Sequence, residues 1–177
     1  MSVSRRSFLR GRTSAPAPIR PPWSLPEAAF VSACTRCDAC VTACPSRIIA
    51  RGDGGYPVVD FSRGECTFCG DCGRACAPKA LDRDAVAGAA PWALAPQVGA
   101  SCLAAHDVVC RTCGDTCPTR AIRFPPLLGR AAQPFVDATH CTGCGACVSA
   151  CPVAAVALAA VLPPALSVAI TEEGIEA

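Results

Sequence analysis

The chain has 177 residues, 16 of them cysteine, and only 5% of its side chains are aromatic. Lobes of some 60 residues with so few large side chains have thin apolar cores, so cross-links or metal centres must supply much of the stability. No apolar run approaches the roughly 20 residues of a membrane span: Val153 to Leu162 is stopped by Pro163 and Pro164. Arg5, Arg6, Arg10, Arg12 and Arg20 give residues 1–26 a positive charge with no acid, while the remainder holds eleven basic against fourteen acidic side chains. Such an arm suggests a nucleic-acid or membrane contact, but no nucleic-acid-binding module accompanies it, and a solvated tail is the competing reading.

In chain order, five parts are expected. Residues 1–26 form a basic, Pro- and Arg-rich tail, 27–84 a first lobe, 85–98 an Ala-, Gly- and Pro-rich linker, 99–160 a second lobe, and 161–177 a tail ending in acids. Within the first tail, Ser4-Arg5-Arg6-Ser7-Phe8-Leu9-Arg10 looks like a twin-arginine export signal. Such a signal needs an apolar stretch and a small-residue cleavage site behind it. Gly11-Arg12-Thr13-Ser14-Ala15-Pro16 follows instead. The element reads as a vestigial or mimicking signal on a cytoplasmic protein, one that docks with or competes for the machinery handling true precursors. A disordered tail with a chance arginine pair is the plain alternative.

The lobes carry four cysteine motifs. The first is Cys34-x2-Cys37-x2-Cys40-x3-Cys44-Pro45, the second Cys66-x2-Cys69-x2-Cys72-x3-Cys76 followed by Ala77-Pro78, and the fourth Cys141-x2-Cys144-x2-Cys147-x3-Cys151-Pro152. Each matches the run that binds [4Fe–4S] clusters in bacterial ferredoxins. Three thiolates at intervals of three curl the backbone over one face of a cubane, and Gly70, Gly73, Gly143 and Gly145 let the chain come close. The fourth cysteine is carried to the other cluster of the pair, and the proline behind it ends the helical turn. The third motif, Cys102-x7-Cys110-x2-Cys113-x3-Cys117-Pro118, has its first gap widened by five residues, which points to a looser or more exposed cluster. Cys37 and Cys69, each second in its motif, lie 32 positions apart, and the second lobe repeats the plan of the first, so the lobes read as two duplications of one unit.

The crosswise rule predicts four sets that use every cysteine: Cys34, Cys37, Cys40 with Cys76; Cys66, Cys69, Cys72 with Cys44; Cys102, Cys110, Cys113 with Cys151; and Cys141, Cys144, Cys147 with Cys117. The expected cofactors are four [4Fe–4S] clusters. Zinc sites use two C-x2-C pairs across a longer stretch, and disulfides need an oxidising compartment; neither fits. His106 and His140 are not read as ligands, and Asp60 and Asp137, at matching positions, are read as caps of the turn before a cluster. The fold class is a small α+β one: two tandem bacterial two-cluster ferredoxin-like lobes, loop-rich and stabilised by clusters. Helical turns are expected from the third to the fourth cysteine and just beyond, over Ser46–Ala50 and Val153–Leu158. Strands such as Val58-Val59 should form hairpins. No nucleophile with a base, nucleotide loop or carboxylate pair is present, so the chain is expected to carry electrons or bind partners rather than catalyse, as a monomer.

The whole pattern from residue 4 to about 158 resembles the NapF family, ferredoxin-type proteins encoded with bacterial periplasmic nitrate reductases. The resemblance rests on Ser-Arg-Arg-x-x-Leu near the start, Arg20-Pro21-Pro22-Trp23, Cys34-Thr35-Arg36-Cys37-Asp38-Ala39-Cys40, Arg51-Gly52-Asp53-Gly54-Gly55-Tyr56-Pro57, and the widened third motif. It implies a cytoplasmic four-cluster protein acting on the precursor of the reductase catalytic subunit before export, by reductive activation or cluster supply. A soluble electron carrier or a redox subunit feeding an oxidoreductase is the alternative.

Overall fold

The computed structural model describes residues 17–84 and 90–160. The Ser4–Arg10 element, the start of the expected linker and the C-terminal tail lie outside the described residues. Contacts divide the described chain into two units, residues 17–60 with 70–84 and residues 61–69 with 90–160.

In the first unit, helix α1 (Glu27–Ala33) begins after Pro26 with an acid in its first turn, favourable at a helix N-terminus, and buries Phe30. Short helices α2 (Ala39–Ala43) and α3 (Asp71–Arg74) pack on each other. Strands β1 (Ile49–Arg51) and β2 (Pro57–Val59) pair antiparallel, with Ile49 opposite Val59 and Arg51 opposite Pro57. Gly54 and Gly55, at φ 69° and 80°, make the turn between them, a conformation that costs other residues about 1 kcal/mol or more.

Residues 17–26, expected within a tail, are instead part of this unit. The Val59 N–H donates to the Ile19 carbonyl at 2.8 Å, the Asp82 N–H to Trp23 at 2.9 Å, and the Leu25 N–H to Ala80 at 3.1 Å. Pro21 and Trp23 are buried. Arg20 donates to both carboxylate oxygens of Glu27 at 3.0 and 2.7 Å and to the Pro57 carbonyl at 3.1 Å. Its guanidinium also lies 4.9 Å from the Phe30 ring centroid and 5.5 Å from that of Tyr56. The Arg20-Pro21-Pro22-Trp23 run is therefore a strap, and the positive charge of Arg20 is spent internally. Trp23→Ala should cost the holoprotein about 3–5 kcal/mol, read by denaturant unfolding. Arg83→Gln, which removes only an exposed guanidinium 5.4 Å from the same ring, should cost about 1 kcal/mol or less.

The second unit holds α4 (Thr112–Asp115) and α5 (Ala146–Ser149). Strand β3 (Leu94–Val98) pairs antiparallel with β6 (Val156–Ala160), and β4 (Ile122–Arg123) with β5 (Phe135–Val136). Leu94–Val98, expected in a linker, is thus a sheet strand; Pro96 is tolerated because a two-stranded ladder leaves every strand an edge. Phe61 is buried with its ring 5.4 Å from Trp92, edge to face, and the Cys66 N–H donates to the Cys144 carbonyl at 2.8 Å. Ile122, Cys147 and Val156 form the buried centre, packed by Val98, Cys113, Phe124, Val136, Val148 and Cys151.

The helices sit between the third and fourth cysteine of each motif, as expected, but do not run on. Arg47, Lys79, Arg120 and Ala154, three residues past each fourth cysteine, are all left-handed, at φ 53°, 57°, 53° and 49°. Their N–H groups donate to the carbonyls of Cys44, Cys76, Cys117 and Cys151 at 3.1–3.2 Å. This turn sends the chain into extended structure, so Ala50 lies in β1 and Val156 to Leu158 in β6 rather than in helices. Among the described residues no helix is long and apolar enough to cross a membrane.

Candidate iron–sulfur centres

The loops around the second cysteine of each regular motif share one backbone device. The residue just before it and the residue just after it are both left-handed: Arg36 and Asp38 around Cys37, Phe68 and Gly70 around Cys69, Gly143 and Gly145 around Cys144. Alternating hand turns successive N–H groups to one side, forming an anion-binding concavity. The Phe68 N–H donates to Cys66 Sγ and the Gly143 N–H to Cys141 Sγ, each at 3.4 Å. Behind the fourth cysteines, the Leu81 N–H donates to Cys76 Sγ at 3.4 Å and the Ala155 N–H to Cys151 Sγ at 3.2 Å. Three non-glycine residues, Arg36, Asp38 and Phe68, accept left-handed strain of about 1–2 kcal/mol each for this arrangement. Asp38 is also fastened by an ion pair to Arg51.

Three of the four predicted cysteine sets ring a cavity. In the first unit Cys34, Cys37, Cys40 and Cys76 line a cavity of about 330 Å³, counting the part open to solvent, with Phe30, Pro57 and Leu81 as apolar walls. In the second unit Cys102, Cys110, Cys113 and Cys151 line one of about 330 Å³, and Cys117, Cys141, Cys144 and Cys147 one of about 320 Å³, on the same count. Thus Cys76, Cys117 and Cys151 each face three cysteines of a different motif. The set Cys44, Cys66, Cys69 and Cys72 has two members in each unit, Cys44 and Cys72 in the first and Cys66 and Cys69 in the second.

The third motif departs from the shared device. Its seven-residue gap holds a 3-10 turn, Leu103–His106, ended by left-handed Asp107. Neither Val109 nor Arg111, the neighbours of its second cysteine Cys110, is left-handed. The Asp107 carboxylate accepts from Arg130 Nε at 3.2 Å and the Ala131 N–H at 3.4 Å, and Gln133 donates to the Ala104 carbonyl. The insertion is pinned to the 130–133 segment, which leaves Val109 82% exposed beside Cys110.

The thiols crowd one another. Burial first, then the neighbouring Cys76 and Cys34, pushes Cys40 up to about 11. Burial, then Cys144, Cys141, Cys113 and Cys117, pushes Cys147 up to about 12. Burial also raises Cys113 and Cys141. At Cys117 burial works the same way, but the Thr119 hydroxyl and the N–H groups of Ala121, Ile122 and Thr119 outweigh it and leave the thiol lowered. The Ala39 N–H and the Thr35 hydroxyl lower exposed Cys37. Thiols this close ionise together only against a compensating cation, which is the chemistry of a metal-thiolate cage. Four thiols around one cavity fit a polynuclear iron–sulfur cluster.

Asp137 caps the turn before Cys141. It accepts from the Thr139 N–H at 3.1 Å and hydroxyl at 2.6 Å, and from His140 Nδ1 at 2.9 Å. Thr139, then His140, hold its carboxyl near 2. His106 Nε2 donates to the Ala100 carbonyl at 2.9 Å. The residues that spacing did not reveal are the wall-formers. Pro96 and Leu158 of the β3–β6 ladder line the Cys117 cavity, and the strap bonds to Ala80 and Asp82, either side of Leu81.

Comparison with known proteins agrees with this geometry. Residues 33–81 and 108–155 each match the 4Fe-4S dicluster domain family. The chain is therefore an iron–sulfur protein of the ferredoxin type, built from two tandem dicluster domains. It is 46% identical over 157 residues to the ferredoxin-type protein NapF of Escherichia coli strain K12, covering 88% of this chain and 94% of that one. It is 44% identical to NapF of Haemophilus influenzae, covering 89% and 94%. The methylamine utilization ferredoxin-type protein MauM of Methylorubrum extorquens is 36% identical, over 75% of this chain and 67% of its own. The chain belongs to the NapF family of ferredoxin-type proteins.

Proposed function

We propose that this chain carries four [4Fe–4S] clusters and acts in the cytoplasm on the precursor of the catalytic subunit of a periplasmic nitrate reductase, before that subunit is exported. Likeness to NapF over nearly the whole chain carries the reading, because that family is encoded with such reductases. The count of four is two clusters for each of the two dicluster matches. The proposed ligands are Cys34, Cys37, Cys40 and Cys76 for one cluster, Cys102, Cys110, Cys113 and Cys151 for another, and Cys117, Cys141, Cys144 and Cys147 for a third, each supported by its cavity. The fourth set, Cys44, Cys66, Cys69 and Cys72, rests on spacing. When bound, such clusters supply one-electron transfer. The protein's part is to hold the thiolates, direct N–H groups at sulfur and wall the cavities with apolar side chains, all of which tune potential.

The second reading, a soluble electron carrier or redox subunit, is favoured by the MauM relatives, which share the chain type under a different functional name. Anaerobic capture from cytoplasm separates the two. Recovery of the uncleaved reductase precursor, lost in Cys34→Ser, supports maturation. A clean capture that yields an oxidoreductase and no precursor overturns it.

A further inference from the structure

The second unit also holds a concavity larger than either of its two cysteine cavities. It is an open groove enclosing about 1200 Å³, counting the part open to solvent, and Arg111, Arg120, Arg123, Phe124 and Phe135 line it with Cys117. Three of the five arginines in residues 61–69 and 90–160 are gathered here. Each is placed by the fold. Arg111 stacks 5.5 Å from the Phe124 ring centroid. Arg120 is the left-handed residue of the turn behind Cys117. Arg123 sits opposite Phe135 in the β4–β5 ladder. The only carboxylate in the lining is Asp115. Asp137 reaches Arg123 only at 3.8 Å, its oxygens already taken by Thr139 and His140. Phe135 is 58% exposed, a half-open aromatic beside the arginines.

From this arrangement we infer that the groove is a docking surface for a partner protein, and that its occupant is an acidic polypeptide segment with an apolar residue among its carboxylates. Guanidinium forks take carboxylates two bonds at a time, and an exposed aromatic beside them supplies the anchor that charge alone lacks. Beyond residue 26 the chain is net acidic, so three arginines in one groove are a local exception that orients an acidic partner. A nucleic-acid strand fits less well, since Asp115 and the thiolates behind Cys117 oppose a dense row of phosphates. Cys117 lines both this groove and the cavity it shares with Cys141, Cys144 and Cys147. A docked segment therefore touches the wall of a cysteine cavity. The inference holds for a maturation factor and an electron carrier alike.

The test uses the anaerobic, cluster-loaded full chain and a fluorescein-labelled ten-residue peptide of eight glutamates and two phenylalanines, read by anisotropy. Arg120→Gln with Arg123→Gln should weaken saturable binding about tenfold, equivalent to about 1.4 kcal/mol. The charge-matched pair Arg47→Gln with Lys79→Gln, whose residues occupy the same turn position behind Cys44 and Cys76, should change it less than twofold. Phe135→Ser should weaken binding with all charge kept. Equal losses from both charge pairs, no saturable binding, or equal affinity for a thymidine oligonucleotide of matched charge would overturn the inference. Unchanged iron content in each variant shows that the fold is intact.

Discussion

Stripping iron from the anaerobic holoprotein with a chelator is expected to unfold it at 25 °C, not merely bleach it. Among the described residues the sheets have two strands apiece, which is marginal without further support, and the largest side chains buried almost completely are just Phe30, Ile48, Leu81 and Pro21. Three of the nine side chains in the second unit's apolar cluster are Cys113, Cys147 and Cys151. Core and cage are the same residues there, so cluster removal takes out the centre rather than an ornament. Structural metal centres of this kind contribute on the order of 10 kcal/mol, comparable to the whole stability of a small domain. Far-UV circular dichroism should fall towards the coil value, and the amides of Gly99 and Asp137, which donate to the Ala155 and Ala121 carbonyls at the ends of the two ladders, should lose exchange protection. An apo form that keeps those amides protected would show that apolar packing suffices.

The second large effect is expected at Gly145. Its φ is +85°, and a Cβ there would stand 2.0 Å from Cδ1 of Phe61. Gly145→Ala therefore combines left-handed strain with a collision against a buried ring, about 3 kcal/mol together. Gly145 also opens α5, between Cys144 and Cys147, so the displaced backbone moves two proposed ligands and iron content should fall with stability. Gly129→Ala is the control: its φ is +72° but nothing lies within 4 Å of the added carbon, so only the backbone strain, about 1 kcal/mol, should appear. Iron analysis and thermal unfolding of both variants separate collision from strain.

Three of the cysteine sets expected from spacing each line one cavity, because cluster ligation admits few intervals between thiols. The spacing also located the helices between third and fourth cysteines. What lies beyond the ligands was less legible. Leu94–Val98 reads as linker because Ala, Pro and Gln carry little strand signal; only its partner Val156–Ala160, far along the chain, makes it a strand. The strap was obscured by the arginines before it: a basic, proline-rich run resembles a solvated tail until Trp23 is seen buried. Ser46 and Val153 read as helix because apolar residues follow the cysteines, yet a left-handed turn ends each helix. The Arg36–Asp38 and Phe68–Gly70 pairs gave no signal at the arginine, aspartate and phenylalanine, since tertiary context forces them into a conformation that composition argues against.

The pairing of β3 with β6 also sets an order in time. Leu94 meets Ala160 and Val98 meets Val156, so the ladder joins the two ends of its unit, and long loops must close before it forms. During synthesis the second unit is unable to complete its sheet, or the Pro96 and Leu158 walls of the Cys117 cavity, until residue 160 has left the ribosome. The β1–β2 hairpin closes over a few residues, and the strap at 19–25 needs only the chain to Asp82. The cavity of Cys34, Cys37, Cys40 and Cys76 can therefore be complete while the second pair of motifs is still being made, and the chain is ready to receive iron and sulfide from its N-terminal side first.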